Sequence, residues 1–121
     1  MVRQTPRGAG LKGYISGAVT RYMKRPNGLA EVSHAFETIE DVLSSRGFQV
    51  CNPFKACPYD PNLTWLDYMR VDIAELMQCD FIVARYDWFL SRGARIEVLL
   101  AVLLGISVYS EKSIYNFEGL H

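Results

Sequence analysis

Apolar residues recur along the chain with helical spacing in three places. Leu29, Val32, Ala35, Phe36, Ile39, Val42 and Leu43 fall three and four positions apart, which puts their side chains on one face of a helix. Gly47 follows as a stop. Leu66, Met69, Ile73, Leu76 and Met77 form a second stripe as far as Cys79. Thr64, with Asp67 three residues later, reads as the N-cap of that helix. A third helix runs from a cap at Ser91 to Leu104 and ends at Gly105.

Between the helices lie short apolar runs. Residues 11–16, 48–52, 80–85 and 106–109 predict strands. The third is nearly all apolar and belongs in the centre of a parallel sheet. Residues 19–28, with Pro26, Asn27 and Gly28, predict a flexible connection. Residues 53–63, with three prolines, and residues 86–90 predict loops. The alternation of strand and helix predicts a single α/β domain with a doubly wound, mostly parallel, flavodoxin- or Rossmann-like sheet. Such folds bind ligands beyond the carboxyl ends of the strands. Those ends are Ser16-Gly17, Asn52-Pro53, residues 86–91 and Ser110.

Length and charge narrow the picture. A chain of 121 residues is long enough for one core. Residues 1–10, rich in Pro, Arg and Gly, read as a flexible N-terminal arm. Residues 11–121 make the domain, with a tail after Ser110 that fits no pattern. Thirteen basic and thirteen acidic side chains cancel, which argues against a broad grip on DNA or RNA. Arg21, Lys24 and Arg25 form a small basic cluster, suited to a local anion contact or to solubility. Cys51, Cys57 and Cys79 are odd in number and lack paired spacing, and His34 and His121 add little. A structural zinc site is not expected. Free thiols fit a reducing cytoplasm. The start of the chain lacks the apolar core of a signal peptide. The longest apolar run, 98–104, is too short to span a bilayer. The expectation is a cytoplasmic protein with neither nucleic acid nor membrane as partner.

Several motifs can be set aside. Gly8, Gly10 and Gly13 spell GxGxxG but precede the first strand, whereas a dinucleotide fingerprint lies between strand and helix. No Walker sequence is present, and no acidic residues follow the first strand as a phosphoacceptor domain would need. The informative stretch is Ser91-Arg92-Gly93-Ala94-Arg95-Ile96-Glu97. Free N–H groups at a helix start attract anions, Gly93 allows close approach to the backbone, and Glu97 is a carboxylate on a helix otherwise apolar to Leu104. The plainer alternative is an N-cap serine worth ~1 kcal/mol and a glutamate favoured by the helix dipole. Asp72, on the middle helix beside Tyr68 and Glu75, is either a solvated carboxylate or the partner of Glu97. Two carboxylates in one strand-end crevice are what glycosidic bond cleavage needs. Trp65 and Trp88 could stack on a base, or serve as core or lid packing.

Taken in order, Tyr14-Ile15-Ser16-Gly17, Asn52-Pro53, Trp65, Tyr68-Met69, Asp72-Ile73, Cys79-Asp80, Trp88, Ser91-x-Gly93-Ala94-x-x-Glu97, Ala101 and Leu104-Gly105 resemble the nucleoside 2-deoxyribosyltransferase superfamily. The similarity is to its short members, common in phages and bacteria, and runs from about Leu11 to Tyr109. It implies that Glu97 is the nucleophile, that Asp72 serves the base or leaving group, and that Tyr14 steadies the nucleophile. In the nucleoside transferases the position of Ser91 is an Asp that holds the 5′-hydroxyl. In the relatives that hydrolyse nucleoside 5′-monophosphates it is a Ser that touches phosphate. Ala18 departs from those hydrolases, which carry a hydroxyl residue there; Thr20, Arg21 or Arg92 could replace it.

The reading is an N-glycosidase of a (2′-deoxy)nucleoside 5′-monophosphate, with or without base exchange. Catalysis would rest on Glu97, Asp72 and Tyr14, and substrate binding on Ser16, Gly17, Ser91, Gly93, Ala94, Trp65 and Trp88. The expectation includes no metal, no cofactor and a homodimer or higher homo-oligomer that hides the apolar last helix. A non-catalytic nucleotide-binding module on the same fold is the alternative; it would keep Ser91 and Gly93 but not require Glu97.

Overall fold

A computed structural model of the chain describes residues 10–19 and 22–117. Strands β1 (Lys12–Ser16), β2 (Gln49–Cys51), β3 (Phe81–Ala84) and β4 (Ser107–Ser110) form one sheet in the order β2-β1-β3-β4, and every pairing is parallel. The expected doubly wound α/β fold is therefore present. Its order reverses at β1, which leaves a crevice between the loops after β1 and β3.

The helices are α1 (Gly28–Ser45), α2 (Pro53–Ala56), α3 (Trp65–Leu76) and α4 (Arg92–Leu104). Alternation along the strands gives each sheet face its own core. Ile15, Phe81 and Val83 meet Val32, Phe36, Ile39 and Leu43 of α1 on one face. Tyr14, Ile82 and Ala84 meet Leu76, Val98 and Ala101 from α3 and α4 on the other. All four β3 residues are buried, as a central strand requires.

Local signals account for most boundaries. Thr64 and Asp67 make a reciprocal capping box: the Thr64 hydroxyl accepts the Asp67 N–H at 3.1 Å and the Asp67 carboxylate accepts the Thr64 N–H at 2.9 Å. Gly105 is left-handed at φ 78°. The Ile106 N–H then returns to the Ala101 carbonyl at 2.8 Å, a Schellman-type closure that delays β4 to Ser107. Three expectations change. The stretch 53–63 opens with the one-turn helix α2, because Asn52 caps the Phe54 N–H at 3.0 Å and Pro53 stands at the first helical position. Residues 86–90 contain a 3-10 turn, Trp88–Leu90. The stripe on α3 is narrower than its spacing implies: Leu66, in the first turn, and Met77, at the C-cap, are 50% and 54% exposed, so only Met69 and Leu76 are fully buried. The tail forms a 3-10 segment, Glu111–Asn116, that sends Ile114 and Phe117 into the α1-side core. Residues 1–9 of the expected arm lie outside the described residues. No described helix is long and apolar enough to cross a membrane.

At the start of α1, a methyl group on Gly28 would lie 1.6 Å from the Tyr22 carbonyl oxygen. Urea denaturation should therefore rank two substitutions sharply. Gly28→Ala should destabilise by about 3 kcal/mol or more, since backbone cannot step aside cheaply, and Thr64→Ala by ~1 kcal/mol. The reverse order would mean that the 22–28 turn yields freely.

Candidate active site

Tyr14 and Ser16 stand two apart on β1, so both side chains leave the same sheet face. The buried line of α4, Gly93, Ala94, Glu97, Val98 and Ala101, faces them. Glu97 is thus pressed against β1 and only 5% exposed. Each of its oxygens accepts one hydroxyl: Tyr14 Oη donates to Oε2 at 2.6 Å and Ser16 Oγ donates to Oε1 at 2.6 Å. Burial pushes the Glu97 carboxyl up to about 7; the two hydroxyls pull it down, and nearby Asp72 adds to the rise. The Tyr14 hydroxyl is pushed well above its usual value, by burial first and by the Glu97 charge second.

Glu97 forms part of a pocket at the carboxyl ends of the strands. Gly17, Val19 and Met23 line it from the β1 side; Pro53, Phe54 and Cys57 from the α2 side; Trp65, Tyr68, Met69 and Asp72 from α3; Ser91, Gly93 and Ala94 from the start of α4. Asp72 is pushed up to about 7, by burial first and by the Glu75 charge second. Two carboxyl groups near neutrality in one pocket can divide the roles of charged and protonated partner.

Most of the residues singled out in the sequence meet here. The Ser91 hydroxyl accepts the Ala94 N–H at 3.2 Å as an N-cap. A Cβ on Gly93 would lie 3.0 Å from Met69 Sδ and one on Gly17 would lie 2.9 Å from the Arg85 side chain. Both glycines therefore permit close packing as well as an open pocket wall. Trp65 is at the rim, 38% exposed, with the Arg92 guanidinium 3.7 Å above its ring centre. Trp88 is not in the pocket. It opens the 3-10 turn toward the β4 side of the sheet, where it packs on the α4-side core and borders a separate cavity with Arg85, Val108 and Ser110. Its expected stacking role in the pocket is withdrawn. His34 is exposed on α1. Thr20 and Arg21 lie outside the described residues.

Sequence reasoning missed Asp87, a fully buried carboxylate in the loop after β3. An acidic residue just past a central strand in a fold that binds ligands there was the available signal. It also missed Phe54, Cys57 and Tyr59, which line the pocket from a stretch without periodicity.

The model of a family described as a domain of unknown function, DUF4406, matches residues 11–110. No curated protein matches the chain. Among solved structures, a 2-deoxyribosyltransferase from the psychrotolerant bacterium Bacillus psychrosaccharolyticus superposes with a TM-score of 0.57 at 21% identity, over 82% of this chain and 70% of that one. The resemblance to nucleoside 2-deoxyribosyltransferases holds at the level of the fold.

The environment of Glu97 has a consequence for stability. Its folded value, about 7, lies above the 4.5 of an ordinary glutamate, so the native state binds the extra proton between these values. Stability from this group is present below pH 4.5 and is lost as pH rises through 7. Glu97→Gln, which never ionises, should be more stable than the parent at pH 8 by roughly 1–3 kcal/mol, with the gain shrinking toward zero at pH 4.5. Thermal melts of both proteins across that range would check it; a gain independent of pH would contradict the buried-charge account.

Proposed function

The chain belongs to the DUF4406 family, and we propose that it is an N-glycosidase of a (2′-deoxy)nucleoside 5′-monophosphate with Glu97 as nucleophile. One observation carries this reading: a buried carboxylate with each oxygen held by a hydroxyl, in a strand-end pocket shared with a second carboxyl group. The name of the Bacillus enzyme with the same fold, a 2-deoxyribosyltransferase, supports chemistry at a nucleoside's base–sugar bond.

In this reaction Glu97, ionised, attacks the anomeric carbon. The C–N bond breaks, its electron pair leaves on the base nitrogen, and Asp72 supplies the proton. Water, returning a proton to Asp72, or a second base then displaces Glu97 with overall retention. Tyr14 and Ser16 aim the carboxylate and favour its charged form. The 5′-phosphate lies at the start of α4, against the free backbone N–H groups and Ser91, with Arg92 close by. A serine suits this place because a carboxylate would repel a phosphate dianion. Gly17, Gly93 and Ala94 leave room for the sugar, and Trp65 offers the base the ring face that Arg92 does not cover.

A panel of nucleosides, nucleoside 5′-monophosphates and a nitrophenyl deoxyriboside, with release of base or nitrophenolate as the readout, tests the assignment. Glu97→Ala and Glu97→Gln should abolish release from folded protein. Asp72→Asn should lose ~10²–10⁴-fold with an ordinary base and little with nitrophenolate, which departs unprotonated. The parent should prefer monophosphates, and Ser91→Asp should narrow that preference. Normal turnover by either Glu97 variant would favour a binding module instead.

The reading includes a homodimer joined through α4. Leu99, Val102, Leu103 and Leu104 are 58%, 59%, 73% and 49% exposed, more apolar surface than a lone helix normally shows to water. Arg95 is exposed in the second turn of α4. In an antiparallel pair it would meet the negative C-terminal end of the partner's helix. Sedimentation at micromolar concentration should give a dimer for the parent and a folded monomer for Leu99→Glu with Leu103→Glu. A monomeric parent would remove the pairing.

A further inference from the structure

We propose that Asp87 is a positioning residue whose carboxylate holds Ala18 and Tyr22, the chain neighbours of the pocket-lining Gly17, Val19 and Met23, in place; the kinetic part of this inference rests on the reaction proposed above. Asp87 touches none of the groups assigned to the chemistry. Its Oδ1 accepts the Ala18 N–H at 3.2 Å and its Oδ2 accepts the Tyr22 hydroxyl at 2.5 Å. One buried side chain thus holds both Ala18 and Tyr22. Their chain neighbours matter to the pocket, since Gly17, Val19 and Met23 line it.

The surroundings suit a holding role. Arg85 Nη1 lies 3.7 Å from Asp87, and Arg85 Nε lies 3.8 Å from Glu111, so the buried charge is balanced from behind. The Arg85 stem packs against Gly17, where a Cβ would come within 2.9 Å. The Tyr22 hydroxyl also meets the Tyr86 hydroxyl at 3.0 Å. Meanwhile the end of β1 is fixed independently: Ser16 pairs with Ala84, and the Arg85 N–H donates to the Ser16 carbonyl at 2.8 Å. Losing Asp87 should therefore loosen the wall while Ser16 and Glu97 keep their geometry. The expected signature is weaker substrate binding with chemistry preserved.

Amide hydrogen exchange at residues 18, 19, 22 and 23, measured without substrate, and steady-state kinetics with 5′-monophosphates give two separate readouts. Asp87→Ala should speed exchange at these four residues and raise KM roughly tenfold, the scale of one or two lost hydrogen bonds, with kcat little changed. Asp87→Asn should restore both, because its carbonyl can accept the Ala18 N–H and its amide can donate to the Tyr22 oxygen. The proposal is overturned by parental exchange and KM in Asp87→Ala. It is equally overturned if Asp87→Asn is as impaired as Asp87→Ala with kcat falling in step, which would make the charge itself catalytic. Should Asp87→Ala not fold, Tyr22→Phe decides: faster exchange at the same four residues supports the role and parental exchange refutes it. A parent that releases no base would sink the proposed reaction, while exchange would still judge the hold on these residues.

Discussion

The burial of Glu97 against β1 is the interaction on which the rest of the site depends. A carboxylate taken out of water without partners would cost several kcal/mol. Here Tyr14 and Ser16 supply one short hydrogen bond to each oxygen. The compensation is partial, since the group still sits near 7 rather than near 4.5. That remaining cost is the feature on which the proposed role of Glu97 draws.

Everything around Glu97 serves its placement. Ser91 starts α4 at the point that puts residue 97 on the inward line. Gly93, Ala94 and Ala101 keep that line thin enough for the helix to lie close to its neighbours. The approach of Gly93 to Met69 brings α3 alongside, and α3 carries Asp72 into the same pocket. The Asp72 charge adds to the rise in the proton affinity of Glu97, while burial and the Glu75 charge raise that of Asp72. A shared fold at 21% identity does not carry function by itself; the pair of carboxyl groups and the hydroxyls on β1 are what give the functional reading its content.

The chain by itself determined most of its elements and singled out residues that meet in one pocket. Helical periodicity, the Thr64–Asp67 box, the stops at Gly47 and Gly105 and the apolar β3 run are consequences of local backbone geometry, which neighbours in sequence decide. Glu97 stood out because a carboxylate on an apolar helix face conflicts with its surroundings. The doubly wound fold followed from the strict alternation of strand and helix. What only the tertiary structure decided involves partners far apart in the chain. Tyr14 and Ser16 reach Glu97 across 83 and 81 residues, and Asp87 reaches Ala18 across 69. Trp65 and Trp88 read alike as candidate stacking residues, yet one borders the pocket and the other turns to the β4 side. Leu66 and Met77 fit the α3 stripe and are still half exposed, because periodicity gives the face of a helix but not how far its neighbours extend along it. Spacing along a chain sets direction from the backbone; which groups meet is set by how the layers pack, and packing is settled by the whole sheet at once.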